Sequence, residues 1–286
     1  LGISIGVQQL LFLGFALAFA IKMPLFPLHT WLPTAYVSSP VPVLIVFAGL
    51  VSKLGAYGFI RFNLALFPEA AHALSPFFAV LATIGILYGA FMALVQTDLK
   101  RLVAYASMSH LGFIGLGIFT GNLLGIEGAL VQMVNHGVII AALFLIVAMI
   151  ERRAGTRDRG RLRGLATGTP LFAALFLLVS LAALGLPGLN GFVGEFLIML
   201  GAWNAFTPLA VAAGIGVILA AWYVLRMYQD SFQGAPPEPT AFGELRRSDV
   251  VALTPLLTLI VLVGVTPAFF PAAVEATVKA LPVLTR

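Results

Sequence analysis

Five ionisable residues stand inside or beside long apolar runs: Lys22, Lys53, His110, His136 and Glu195. A charge at mid-depth in a bilayer costs about 2.5–3.5 kcal/mol on insertion scales, so each marks a functional site by default, although histidine can enter neutral. Lys53, His110, His136 and Glu195 lie about ten residues, or roughly 15 Å, from an end of their runs, which brings them near one depth. Burial moves lysine and glutamate toward neutral pH from opposite sides, and histidine titrates there already. The chemistry of such a layer is proton exchange. Plainer roles stay open for each. Lys53 snorkels only if its side chain reaches farther than 15 Å allows. His136, on one helical face with Gln132 and beside Asn135, and His110, near Ser107 and Ser109, also suit interhelical hydrogen bonding. Glu195 also suits a structural pair with a lysine. His29 either caps a helix or steadies a bend, and Glu127 faces an interface or a helix N-terminus.

Two breaks position these residues. In KMPLFPLHTWLP, Lys22 to Pro33, the lysine is followed by Pro24 and Pro27. Proline removes a backbone donor and clashes with the preceding turn, so a helix ends here and restarts near His29. The second break is GLPGLNG, Gly185 to Gly191, with Pro187 and Gly188 at its centre and Glu195 just beyond. Broken helices free backbone groups that water or side chains must satisfy, so they line hydrated cavities.

The elements that carry these groups follow from composition. With 60% hydrophobic and 9% charged residues, 286 residues cannot form a soluble globule. The chain reads as an all-α polytopic membrane protein. Eight runs are long enough to span, roughly 5–37, 43–66, 76–97, 102–120, 127–150, 170–205, 209–230 and 250–268. Turn signals divide them, among them Phe67-Pro68, Ser75-Pro76, Gly121-Asn122, the Arg-rich 151–164 and Gly234 to Pro239. The first and sixth runs would each reach roughly 50 Å as one helix, against a core of about 30 Å. Each holds a break and is followed by one uninterrupted span. That matched pair suggests an internal repeat of the transporter kind; simple proline kinks are the alternative.

Charge gives an orientation. Lys100, Arg101, Arg152, Arg153, Arg157, Arg159, Arg161, Arg163, Arg246 and Arg247 all fall on one side of the eight-span arrangement, and only Lys279 and Arg286 on the other. The positive-inside rule makes the first side, with loop 151–164, cytoplasmic and the C-terminus external. The net charge of +5 therefore carries no argument for nucleic acid. No cysteine is present, which excludes disulfides and thiolate chemistry. No phosphate loop, zinc-binding HExxH or haem-binding histidine frame appears, so neither metal nor cofactor is expected on this chain. The sequence opens at Leu1 within an apolar run, without Met or a basic leader, so residues upstream are expected.

KMPLFPLHTWLPTA, VSKLGAYGFIRFNLALFPEA, QTDLKRLVAYASMSHLGFIGLGIF, NHGVIIAALFLI and LGLPGLNGFVGEF, in that order, closely resemble the antiporter-like membrane subunits of respiratory complex I. Those subunits are related to one chain of multisubunit sodium/proton antiporters. The resemblance covers about residues 8 to 230. It implies a fourteen-helix fold of two inverted five-helix repeats, of which this chain holds the seventh to fourteenth helices. Residues 1–66 would complete the first repeat, 76–232 form the second, and 250–286 supply the last helix and an external tail. Lys22 resembles the lysine at the break of the seventh helix, and Lys53 that of the eighth. His110 and His136 match histidines of the central hydrophilic axis, and Glu195 the ionisable group of the twelfth helix. Most branches carry lysine at that last position and the M branch glutamate, so Glu195 points to the M branch. The glutamate that pairs with the seventh-helix lysine belongs to the helices that are absent here.

The resemblance implies proton translocation in the energy-transducing inner membrane, within NADH:quinone oxidoreductase, along Lys22, Lys53, His110, His136 and Glu195. Redox chemistry would lie elsewhere, and the partners would be other membrane subunits, sister antiporter-like chains and lipid. A sodium/proton antiporter subunit and a structural membrane scaffold are the alternatives.

Overall fold

Within a bilayer every backbone N–H and C=O must find a partner inside the protein, which leaves helices or closed barrels as spanning structures. This chain takes the helical solution. The computed structural model describes residues 3–235 and 243–284. The expected turn at Gly234 to Pro239 falls partly, and Arg286 wholly, outside them.

In chain order the helices are α1 (Ile5–Lys22), α2 (Trp31–Ser38), α3 (Val41–Leu64), α4 (Pro68–Val95), α5 (Leu99–Ile118) and α6 (Leu123–Ala154). They continue with α7 (Pro170–Ala183), α8 (Asn190–Ala205), α9 (Thr207–Phe232), α10 (Arg247–Val265) and α11 (Phe269–Lys279). Helices α1, α3, α4, α6, α9 and α10 are each long and apolar enough to cross a membrane. With α5 and the α7–α8 pair they make the eight expected passages, α1–α2 and α7–α8 being the interrupted ones. Leu10, Ile218 and Val251 are at least 70% exposed, the reverse of a water-facing surface. Helix α5 is enclosed instead: every residue but Arg101 and Tyr105 is buried. Protein rather than lipid surrounds it, so Ser107, Ser109 and His110 can sit in mid-helix.

Two boundaries differ from the sequence expectation. Helix α4 starts at Pro68, and Pro76 lies inside it rather than in a turn. Proline at the first helical position forgoes only a donor that would be unpaired anyway. Beside Pro76 the Ser75 hydroxyl donates to the Ala71 carbonyl at 2.7 Å, and the helix runs on through both residues. Helix α6 is longer than 127–150 because both ends are capped. The Asn122 side chain accepts from Gly125 N–H at 3.0 Å, and Gly155 closes the far end at φ +66°. The tail after the last span forms helix α11, which places Val278 in the core.

The basic residues gather at one end of the bundle, and several do more than face solvent. Lys100 is buried in the first turn of α5 and donates to the Val37 and Ser39 carbonyls at 2.9 and 2.8 Å, capping α2. Arg157 pairs with Asp98, and Arg159, also buried, reaches the Leu94 carbonyl at the end of α4 (3.3 Å). Cations at helix C-termini are favoured by the unpaired carbonyls there.

Helix α1 crosses α3 at Gly55. A Cβ on that glycine would lie 2.6 Å from the Phe19 carbonyl oxygen and 2.7 Å from Met23 N, both backbone atoms. Gly55→Val should therefore drive α1 off α3, at a cost of about 1–3 kcal/mol or more. Thermal unfolding of the purified chain in detergent measures it, and an unchanged midpoint would contradict the close crossing.

Candidate functional site

The first break is closed by protein groups. Leu25 N–H donates to the Ala20 carbonyl at 2.9 Å, and the Trp31 indole N–H donates to the Ile21 carbonyl at 3.0 Å. Pro24 and Pro27 lie between them, where no backbone donor is needed. His29 packs its ring between Phe26 and Tyr88, with centroids at 5.3 and 4.8 Å, so it steadies the bend. At the second break Gly185 and Gly188 have φ of +77° and +93°, conformations open to glycine, on either side of Pro187. Asn135 of α6 donates to the Asn190 carbonyl at 2.7 Å and pins the restart of α8.

That restart sets Glu195 on the sixth residue of α8, buried among α5, α6 and α8. His110 Nδ1 lies 2.7 Å from its Oε1, and Gln132 Nε2 donates to the same oxygen at 2.9 Å. The other oxygen faces the break, 3.0 Å from where a Cβ on Gly185 would stand. His136 follows one turn after Gln132, its ring centroid 5.6 Å from that of His110. Neither of its nitrogens has a hydrogen-bond partner among the described residues. Beyond it Lys53 is buried, with its Cε 3.9 Å from where a Cβ on Gly137 would stand and its ammonium donating to the Ala48 carbonyl. Two π-helical turns, Phe47–Val51 and Phe59–Leu64, lie on either side of the turn that carries Lys53. Such widened turns leave backbone groups out of the regular ladder and recur at functional positions.

Lys53, His136, His110 and Glu195 thus follow one another as a buried row, in contact from His136 through His110 to Glu195, with Lys53 against Gly137, the residue after His136. Lys22 stands apart. It ends α1, is exposed, and makes no ion pair or side-chain hydrogen bond among the described residues. Its neighbour Met23, with Phe19, lies against Gly55 of α3, two positions beyond Lys53.

Two groups join the row that residue patterns did not single out. Gln132 was visible as a face-mate of His136, but its bond to Glu195 depends on how α6 packs on α8. Tyr223 of α9 is fully buried, its hydroxyl unpaired among the described residues, and it lines a small cavity with His110 and His136. Leu102, Leu143 and Met227 also line this cavity, whose volume of about 10 Å³ is near the minimum for one water.

Buried ionisable residues aligned between two broken helices define an antiporter-like membrane subunit. Residues 2–220 match the family described as NADH:quinone oxidoreductase/Mrp antiporter, TM, and the chain belongs to that family. It is 41% identical over 264 residues to NADH-quinone oxidoreductase subunit M of Rhodobacter capsulatus, covering 92% of this chain and 52% of that protein. Subunit M of Escherichia coli K12 is likewise 41% identical, over 94% of this chain and 52% of its own length. The chain therefore spans about half the length of these relatives. Its fold matches a chain of respiratory complex I from Thermus thermophilus with TM-score 0.90 and 39% identity, over 96% of this chain and 58% of that one. A chain of the Mrp complex from Dietzia sp. shares the fold at TM-score 0.86 and 22% identity, over 93% and 58% of the two chains.

If the His110–Glu195 contact fixes α5 on α8, the two residues must be energetically coupled. His110→Ala and Glu195→Gln should be non-additive by roughly 0.5–3 kcal/mol in a double-mutant cycle of unfolding. Simple additivity would mean that the contact does not hold the helices.

Proposed function

We propose that this chain carries proton translocation as part of an antiporter-like, M-type membrane subunit of an NADH:quinone oxidoreductase. The observation that carries the reading is the buried row Lys53, His136, His110, Glu195, in which each member can exchange a proton and adjacent members lie close enough for a water or a side-chain rotation to connect them. In this reading Glu195 and His110 share a proton across their hydrogen bond. His136, with both nitrogens free, relays between that pair and Lys53. Lys22, at the first break, passes protons to or from Lys53. NADH oxidation takes place on other chains of the complex, and this chain holds no cofactor of its own. Its partners are the sister membrane subunits and lipid. The Arg-rich stretch 151–164 faces the cytoplasm and the C-terminus the outside, as the segregation of basic residues favours. The division into a first repeat to residue 66 and a second over 76–232 belongs to the same reading.

Membership in a family that also includes Mrp antiporters supports a second reading, a sodium/proton antiporter subunit. The two differ in what drives transport. In the assembled complex, Lys53→Ala should abolish proton pumping driven by NADH oxidation while assembly persists. Lys53→Arg should fail too, because guanidinium keeps the charge but does not release the proton. Pumping that survives Lys53→Ala would remove this residue from the route. Sodium-dependent transport without NADH would favour the antiporter reading. Glu195→Gln keeps the shape and a hydrogen-bonding oxygen but not the titrating group, and should lower pumping sharply; intact pumping would return Glu195 to a packing role.

A further inference from the structure

At the basic end of the bundle three helix ends converge: the last turn of α6, with Arg152 and Arg153, and the first turns of α7 and α10. A cavity of about 340 Å³ opens between them, lined by Arg152, Arg153, Gly243, Glu244 and Arg246. The charges around it do not cancel. Asp249 accepts from Arg152 at 2.6 Å, from Arg153, and from the backbone N–H of Arg246 at 3.1 Å. Glu244 is taken up by backbone, accepting from Leu171 and Phe172 N–H at 2.9 and 3.1 Å, where it caps α7. Among the described residues, three arginines thus stand at the cavity beside two carboxylates that are already engaged. Arg246 forms no ion pair among the described residues, and the Arg152 side chain remains 59% exposed despite its bond to Asp249.

The surroundings are apolar on the bundle's outer side. Val251, one turn into α10, is 71% exposed, and Leu171, at the start of α7, is 47% exposed. Guanidinium forks match phosphate oxygens in charge and geometry. A cationic hollow at the level where apolar helices end, with open apolar surface beside it, suits a molecule that is phosphate at one end and hydrocarbon at the other.

We propose that this cavity binds the phosphate of an anionic phospholipid headgroup, with Arg152 and Arg246 as its principal ligands and the acyl chains along the exposed faces of α7 and α10. Arg153 is held by Asp249 and by the Phe172 ring 5.6 Å from its guanidinium carbon, so it shapes the floor of the site. A free phosphate would satisfy the arginines but make no use of Val251 and Leu171.

Native mass spectrometry of the full chain in neutral detergent tests this, with phosphatidylglycerol, phosphatidylcholine and inorganic phosphate as probes. The chain should retain phosphatidylglycerol over phosphatidylcholine, and excess inorganic phosphate should not displace it. Arg152→Gln/Arg246→Gln leaves the Arg153–Asp249 pair intact. It should weaken phosphatidylglycerol binding about thirtyfold, on the order of a factor of five to six per arginine at the membrane surface, and leave phosphatidylcholine unchanged. If the double variant unfolds, Arg246→Gln alone, which breaks no ion pair, carries the test with a correspondingly smaller loss. Equal retention of the two lipids, or phosphatidylglycerol binding indifferent to both variants, overturns the proposal and leaves an acidic protein segment as the occupant. Displacement by inorganic phosphate overturns it in favour of a free anion.

Discussion

A carboxylate far from water is tolerable only where hydrogen bonds reach it, and Glu195 imposes that condition on the whole second half of the chain. Its Oε1 is met by His110 from α5 and Gln132 from α6, so three helices must agree in rotation and depth at one atom. The break before α8 is part of the same solution. An unbroken helix from Pro170 to Ala205 would have no Gly185 bend against which the second oxygen sits. Asn135, donating to the restart of α8 three residues along α6 from Gln132, ties the break and the carboxylate to one helix face.

The lysine at the other end of the row is buried under a different rule. Lys53 has no acidic partner among the described residues; its ammonium is held by the Ala48 carbonyl. That carbonyl lies within the π-helical turn Phe47–Val51, which interrupts the regular ladder of α3. The helix therefore uses its own irregularity to solvate the charge, as a broken helix does on a larger scale. In the proposed role this difference matters, because Lys53 is met by a backbone carbonyl, whereas His110 is met by a side-chain carboxyl.

How much of this the sequence reveals depends on whether the information is local. Proline and glycine act on their own backbone, so both breaks could be read from KMPLFPLHTWLP and GLPGLNG, and the eight passages from the length of the apolar runs. Pro76 misled the same rule, because a membrane helix packed in a bundle tolerates a proline that forgoes one hydrogen bond, and α4 runs on through it. Lys100 and Arg159 read as loop cations; both are buried caps of helices distant in sequence, a role visible only once α2 and α4 are docked. The row itself was legible as a layer of residue types at similar depth. Its connectivity was not, since it depends on the rotations of α3, α5, α6 and α8. Trp31 and Tyr223 carry no local signal at all: one is an aromatic at a helix start, the other an aromatic within an apolar span.

The breaks were expected to line hydrated cavities, and their backbone groups are met mainly by protein instead. Trp31 serves the Ile21 carbonyl, and Asn135 serves that of Asn190. Beside the histidine pair lies a cavity with room for about one water, bounded otherwise by Leu102, Leu143 and Met227. In the proposed role, close packing at the histidine pair has a consequence. A continuous water file through the bundle would let protons flow down their gradient without reference to any driving reaction. Where the cavity beside His110 and His136 has room for about one water, transfer there would depend on the side chains themselves. In the proposed role, tight packing at that point would let the side chains, rather than bulk water, govern the passage of protons.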